Sequence, residues 1–306
     1  MHSAALRYFA VVARAGSIRR ASEELNVAAS AVSRQVQKIE YELGLPLFER
    51  LPDGLRLTEA GRHVLQHAEH TLHNYELLKG HIGEMKGLRT GVVSIAALDS
   101  LVVRFLPSLI DRYHKQHPAM NYRLRSTTHG TIAQMVADGE ADIGVTFDLP
   151  HPEDLGFVHD VPMPLMAMVS AGHPLARQKS VSLLDCTQFN LLLQLDTLAI
   201  QSLIEVELSV LQRSGRVLMA SNNLLMLKHM VLKGQGVAFY TPLGMMEEIE
   251  DGRIVPVPLS GTRLGGMRMG LLVPRRRKLT PAVQDVIERI GAELKALRLP
   301  GQAAPA

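Results

Sequence analysis

AVSRQVQKIEYELG, running from Ala31 to Gly44, sets Val32, Val36, Ile39 and Leu43 at the i, i+4, i+7, i+11 spacing of a buried helical stripe. Ser30, Ser33, Arg34, Gln37 and Tyr41 fall on the opposite side of the same helix. One face packs and the other is left to bind. Upstream, Ser17 can cap a short helix from Ile18 to Leu25, and a tight turn from Asn26 to Ala29 separates the two helices, which is helix-turn-helix spacing. An ordinary αα-hairpin inside a helical core satisfies the same spacing. The next residues favour the first reading. In LPLFERLPDGLRLTEAG, the triplet Pro52-Asp53-Gly54 turns a hairpin with Arg50 and Arg56 on its arms, a wing able to lay guanidinium groups along a phosphate backbone. The candidate DNA-binding residues are therefore Ser30, Ser33, Arg34, Gln37, Lys38, Arg50 and Arg56.

A chain of 306 residues suits two or three domains with proper cores. Lys plus Arg total 33 against 30 for Asp plus Glu, so net charge alone does not announce a nucleic-acid partner. Placement does, because Arg14, Arg19, Arg20, Arg34, Lys38, Arg50, Arg56 and Arg62 crowd the first fifth of the chain. The opening MHSAALRYFAVVARAG is interrupted by Arg7 and Arg14 and reads neither as an export signal nor as a membrane span, so a cytoplasmic protein without membrane association is expected. A single cysteine, Cys186, excludes an internal disulfide and a multi-cysteine metal cluster, and it reads as a small buried residue.

From Thr58 to about Gly87 the chain lacks proline, opens with Thr58 and Glu59 as cap and first-turn acid, and carries Leu65, Ala68, Leu72, Tyr75 and Ile82 at three- and four-residue steps. Such a seam on a long helix with no adjoining core predicts pairing with a second copy, although Lys79 interrupts it. His63, His67, His70, Asn74 and His81 line another face. Histidines at i and i+4 can chelate zinc or nickel, but no cysteine or carboxylate is in register, and a solvated polar face or a face packed on the amino-terminal head serves equally. No metal and no cofactor are assigned.

From Gly91, short apolar strands such as GVVSIAAL and ADIGVTF alternate with amphipathic helices, which argues for a mostly parallel α/β sheet. A second lobe begins near VPMPLMAMVSAGHPL, and the chain comes back to the first with GMRMGLLVPRRRKL. The expected boundaries are a head at 1–58, a linker helix at 59–88 and a two-lobed region at 89–306, lobe I being about 89–162 and 268–299 and lobe II about 163–267. Ligands in such sheets sit at strand carboxyl ends near helix amino termini. That criterion selects Asp99-Ser100, Ser126 to His129, Thr146-Phe147 and Gln194 to Thr197. Gly234-Gln235-Gly236 is a tight turn rather than a dinucleotide loop, and Arg275 to Lys278 reads as a solvated loop. No nucleophile with its base, no Walker motif and no Gly-x-Ser-x-Gly elbow is present, so an α/β enzyme is the weaker alternative, as is a stand-alone cytoplasmic small-molecule sensor.

LRYFAVVARAGSIRRASEELNV, AVSRQVQKIEYELGLPLFER and GLRLTEAGR together resemble the amino-terminal domain of LysR-type transcriptional regulators, densely over about the first sixty residues and more loosely beyond. The resemblance implies a winged helix-turn-helix on near-palindromic promoter DNA, linker helices paired antiparallel in a homodimer, and association into homotetramers. It further implies a two-lobed α/β effector domain similar to periplasmic binding proteins, and RNA polymerase as a candidate partner. The family's effector contacts map onto Asp99, Ser100, Thr128, His129, Thr146, Phe147 and Asp196, with Asn222 and Thr241 as further candidates. One cysteine does not fit the two-cysteine peroxide-sensing branch. The chain departs from the family at Ala28 and Ala29, where Ser or Thr and then Gln are usual, so base reading falls to Ser30, Ser33, Arg34 and Gln37. Asp99 would repel a plain carboxylate, which points to an effector carrying a donor group, such as an amino acid, amine or nucleobase derivative; Asp99 as a mere helix cap is the other reading.

Overall fold

The computed structural model describes residues 4–52, 54–85, 91–195, 204, 206 and 216–299. They fall into two compact units, residues 1–92 and 93–306. In the first, helix α1 (Ala4–Ala15) is followed by α2 (Ile18–Leu25) and α3 (Ala29–Leu43). Ser17 caps α2 by accepting a hydrogen bond from the Arg20 amide at 3.5 Å, and Asn26, in the left-handed region at φ 53°, ends it. The recognition helix begins at Ala29, two residues before the expected start, because the amides of Ala31 and Val32 already bond the Ala28 carbonyl. Val32, Val36 and Ile39 are buried against Phe9, Val11, Val12 and Ala21, but Leu43 is 52% exposed. Its turn is the last before Gly44 breaks the helix at φ 68°.

Strands β1 (Phe48–Leu51) and β2 (Gly54–Leu57) pair antiparallel as the wing, with Glu49 opposite Arg56 and Arg50 opposite Leu55. The Leu55 amide bonds the Gly16 carbonyl at 2.8 Å, and a Cβ at Gly54 would lie 2.7 Å from that same oxygen, so the wing is pinned to the α1–α2 turn. Helix α4 (Glu59–Met85) starts under a Thr58 cap: the hydroxyl accepts from the Gly61 amide at 3.0 Å and donates to the Pro46 carbonyl at 2.9 Å.

The expectation that α4 has no adjoining core is corrected. Ala68 is fully buried, and Leu65 and Leu72 pack on the cluster of Ala5, Phe9, Ala10, Ile39 and Leu47. Three of the five residues of the single seam read from the sequence therefore belong to the head, because 3.6-residue periodicity cannot separate two neighbouring stripes on one long helix. Leu78 and Ile82 lie on a second stripe and are 42% and 46% exposed.

Among the described residues, the second unit holds two five-stranded sheets. The first has the order β4-β3-β5-β12-β6, with β3 at Gly91–Ala97, β4 at Met120–Ser126, β5 at Ile143–Phe147, β6 at Leu155–Pro162 and β12 at Arg268–Pro274. The second has the order β11-β7-β10-β8-β9, with β7 at Met166–Ser170, β8 at Leu191–Gln194, β9 at Val217–Ser221, β10 at Val237–Tyr240 and β11 at Ile254–Pro258. The sheets are mixed, which revises the mostly parallel expectation. β3 and β5 run parallel, as do β10, β8 and β9, whereas β12 runs against β5 and β6, and β7 against β10 and β11. The chain leaves the first sheet after β6 and returns on β12, and β7 and β12, the strands that enter each sheet from the other lobe, run against their neighbours. Among the described residues, the helices of this unit include α5 (Asp99–Val102), α6 (Phe105–Gln116), α7 (His129–Ala137), α8 (Leu183–Cys186), α9 (Leu224–Leu232), α10 (Met246–Glu250) and α11 (Pro281–Ala296).

The loop Arg275 to Lys278 is anchored rather than merely solvated. Arg277 donates to the Ala141 carbonyl at 2.9 Å and approaches the fully buried Asp142 at 3.8 Å, while Arg275 donates to the Leu155 carbonyl at 2.6 Å. Burial lowers the Arg277 pKa and the Asp142 charge opposes that shift. Cys186 is fully buried, and burial pushes its thiol up to about 12.

Candidate DNA interface and effector site

Ser30, Arg34, Gln37 and Tyr41 are exposed along one side of α3, with Ser33 half-buried beside them. A groove of about 540 Å³ runs between this helix and the wing, lined among others by Ser17, Arg19, Ser30, Ser33 and Arg50. Two helix amino termini, those of α2 and α3, open onto it, so partial positive charge and two guanidinium groups converge where a phosphate would lie. Ser17 and Arg19 are additions to the sequence-derived set; the cap motif at Ser17 was legible, but its nearness to Arg50 depends on the wing folding back. Glu40 was also missed. Its carboxylate accepts from the Leu47 and Phe48 amides at 2.8 and 3.4 Å and so fixes the entry into the wing. No side chain caps α3, since Ala28 occupies the cap position.

Two expected DNA contacts sit differently from the rest. Arg56 is held by Glu49 across the wing at 2.8 Å. Lys38 lies within reach of Glu42 at 3.9 Å and lines a different groove, of about 500 Å³, formed with Ala5, Leu6, Ile39, Leu43, Val64, His63 and His67.

In the second unit, each described effector candidate stands at or just beyond a strand's carboxyl end. Asp99 and Ser100 open α5 after β3, Thr128 is the cap residue of α7 after β4, Asn222 follows β9, and Thr241 follows β10. Asp99 is the first residue of its helix rather than its cap, which is Leu98. The two lobes meet here: a Cβ at Gly244 would lie 2.8 Å from Leu224 Cδ2 and 3.4 Å from the Ser100 Cα. Arg104 clamps the same junction, donating to both oxygens of Glu250 at 2.8 Å, and that hydrogen bond raises its pKa. Thr241 is 2% exposed and its hydroxyl has no hydrogen-bond partner among the described residues.

Three candidates are committed to the interior instead. His129 is buried with Nδ1 3.0 Å from the Thr146 hydroxyl and Nε2 3.1 Å from the Pro150 carbonyl, so Nε2 carries the proton and the ring bolts α7 to the end of β5. Thr146 is fully enclosed in that bond, and Phe147 lies in the main core. Their sequence signal, polar residues at a strand end, is the same for a ligand contact and for a satisfied internal hydrogen bond. Asp196 lies outside the described residues, as do the side chains of Lys79 and His81. Asn222 is exposed, while its neighbour Asn223 caps α9 by accepting from the Met226 amide at 3.1 Å.

Comparison with known proteins gives two family matches: residues 3–62 match the bacterial regulatory helix-turn-helix protein, lysR family, and residues 86–295 match the LysR substrate binding domain. The RuBisCO operon transcriptional regulator of Allochromatium vinosum is 29% identical over 278 residues, covering 90% of this chain and 91% of the relative. The transcriptional dual regulator GltC of Bacillus subtilis is 27% identical over 92% of this chain and 94% of its own. Among solved structures, CbnR, a LysR family transcriptional regulator, is similar with a TM-score of 0.71 at 19% identity, covering 96% of this chain and 99% of that one. Full-length CbnR complexed with its target DNA gives a TM-score of 0.70 at 20% identity over 96% of this chain and 100% of that one.

Proposed function

Since this chain belongs to the LysR family of transcriptional regulators, we propose that it reads a near-palindromic promoter site as a homodimer and that a small molecule between the lobes of its effector domain controls that binding. The protein is a regulator and not an enzyme, with a DNA-binding head and an effector-binding domain. The observation that carries the DNA reading is the division of α3: Val32, Val36 and Ile39 are buried in the head while Ser30, Arg34 and Gln37 face outward beside the arginine-lined groove. Ser30, Ser33, Arg34 and Gln37 contact base edges in the major groove, and Ser17, Arg19, Arg50 and Arg56 hold phosphates. Lys38, turned toward Glu42, has at most a backbone role. Arg34→Ala should weaken specific operator binding by about 1–3 kcal/mol, roughly five- to 150-fold, while leaving binding to random DNA nearly intact. A gel-shift titration against specific and random duplexes reads both numbers, and unchanged discrimination refutes the assignment.

The effector seat comprises Asp99, Ser100, Thr128, Asn222 and Thr241, with Asp196 as a further candidate, whereas His129, Thr146 and Phe147 build its walls. A carboxylate at Asp99 would repel a plain carboxylate ligand, which favours an effector carrying a donor group, as in an amino acid, amine or nucleobase derivative. Thermal shift against amino acids, polyamines, purines and aromatic acids tests this; stabilisation by an anionic aromatic acid alone counts against it. The linker helix joins the two copies and dimers associate into tetramers, with RNA polymerase a partner at the promoter. The expected place of action is the cytoplasm, and no described helix is long and apolar enough to cross a membrane.

A further inference from the structure

The chain has six tyrosines, seven phenylalanines and no tryptophan. Among the described residues Tyr41 is the only exposed one of them, at 89%, and its side chain has no partner there. A ring left in water forgoes the burial that usually holds an aromatic residue, and tyrosine is enriched where a surface binds. Its position says which surface this is. At about 100° per residue, Ser30, Arg34, Gln37 and Tyr41 lie within roughly 60° of one another around α3. Leu43 stands roughly 160° from Tyr41 around the same helix, so the ring continues the row of Ser30, Arg34 and Gln37 rather than joining an apolar patch with Leu43. The carboxylates flanking it are engaged elsewhere: Glu40 accepts from the Leu47 and Phe48 amides, and Glu42 pairs with Lys38 at 3.9 Å.

A helix with its amino-terminal half in the major groove presents Ser30, Ser33 and Arg34 to base edges. Tyr41 stands seven residues beyond Arg34, about 10 Å along the axis, and the groove is only about 12 Å wide, so the last turn lies at the rim where the sugar–phosphate backbone runs. The carboxyl end of a helix carries partial negative charge and offers no free amides, so a phosphate there needs a donor carried clear of the backbone. A phenol on a rigid ring supplies one. We propose that Tyr41 contacts DNA: its hydroxyl donates a hydrogen bond to a phosphate at the rim of the major groove and fixes the carboxyl end of α3 while Ser30, Ser33, Arg34 and Gln37 read bases. The inference rests on the reading of α3 as the recognition helix and adds a contact at its far end. Lys38, three residues back, is turned to Glu42, so the contact is made by a neutral donor. That separates it from the arginine contacts. A neutral donor releases no counterion, and its loss lowers affinity without altering the salt dependence.

Fluorescence anisotropy of the full chain on a random-sequence duplex, over a series of salt concentrations, tests this without an identified operator. Tyr41→Phe and Tyr41→Ala should each weaken binding about tenfold at every salt concentration, with the slope of the logarithm of affinity against the logarithm of salt unchanged. Arg50→Ala, the control for the head, should weaken binding and make that slope shallower by about one. Circular dichroism should show wild-type helix content in all three variants, since both side chains are exposed. If Tyr41→Phe binds like wild type, whatever Tyr41→Ala does, or if it flattens the salt slope, the phosphate contact is overturned. If Arg50→Ala also leaves binding unchanged, the DNA reading of the head falls with it; if Arg50→Ala alone weakens binding, that reading stands without Tyr41.

Discussion

Ala28 occupies the cap position of α3 with extended backbone at φ −64°, ψ 138°, and makes no side-chain cap hydrogen bond to the amides of the first turn. A serine fits that backbone and can accept from one of them. Ala28→Ser should therefore stabilise the head by about 1 kcal/mol, read as a higher denaturation midpoint of its transition; an unchanged midpoint would mean the groove already supplies the missing acceptor. The alanine was visible in the sequence, and so was its consequence for the helix. The role of His129 was not. A histidine one residue beyond a threonine at a strand end reads as a ligand contact, and only the approach of the Thr146 hydroxyl on one side and the Pro150 carbonyl on the other turns it into a bolt. Both partners lie 17 or more residues away, beyond any local pattern.

At the level of elements, α4 and the 275–278 loop show what periodicity conveys and what it hides. Thr58, Glu59 and the absence of proline announce the long helix, and its length is observed as 27 residues. Two apolar stripes lie side by side on it, however, and their merging in one dimension assigned Leu65, Ala68 and Leu72 to a partner when the head already covers them. The run Arg275 to Lys278 reads as solvated because four consecutive basic residues usually are, but the buried carboxylate of Asp142 draws Arg277 inward. Removing that cation strands a charge out of water. Arg277→Met should destabilise the effector domain by about 2 kcal/mol, discounted from the usual cost of breaking a buried pair because the guanidinium retains some solvent. Asp142→Asn on the Met background should recover part of the loss; urea denaturation of both variants measures it, and a neutral Arg277→Met shows that the pair is idle.

Over the whole molecule, the proposed control works by shifting populations. An effector that binds between lobes linked by Arg104–Glu250 and by the Ser100–Gly244 contact must favour one lobe angle over another, and the assembly converts that preference into a change in the spacing of DNA-reading heads. Footprinting with and without an identified effector should then reveal an altered protected length or a shifted hypersensitive site, and identical footprints at saturation refute the coupling. The amino-acid order by itself determined the helix-turn-helix, the wing, the long helix and the two-lobed α/β region, because caps, turns and apolar spacing are local properties carried by neighbouring residues. Tertiary structure alone decided which stripe of α4 the head covers, which polar residues at strand ends are consumed inside the lobe, and that Ser17, Arg19 and Arg50 share one groove. Those facts depend on segments distant in sequence meeting in space, where burial and hydrogen-bond satisfaction choose among readings that the local pattern leaves equal.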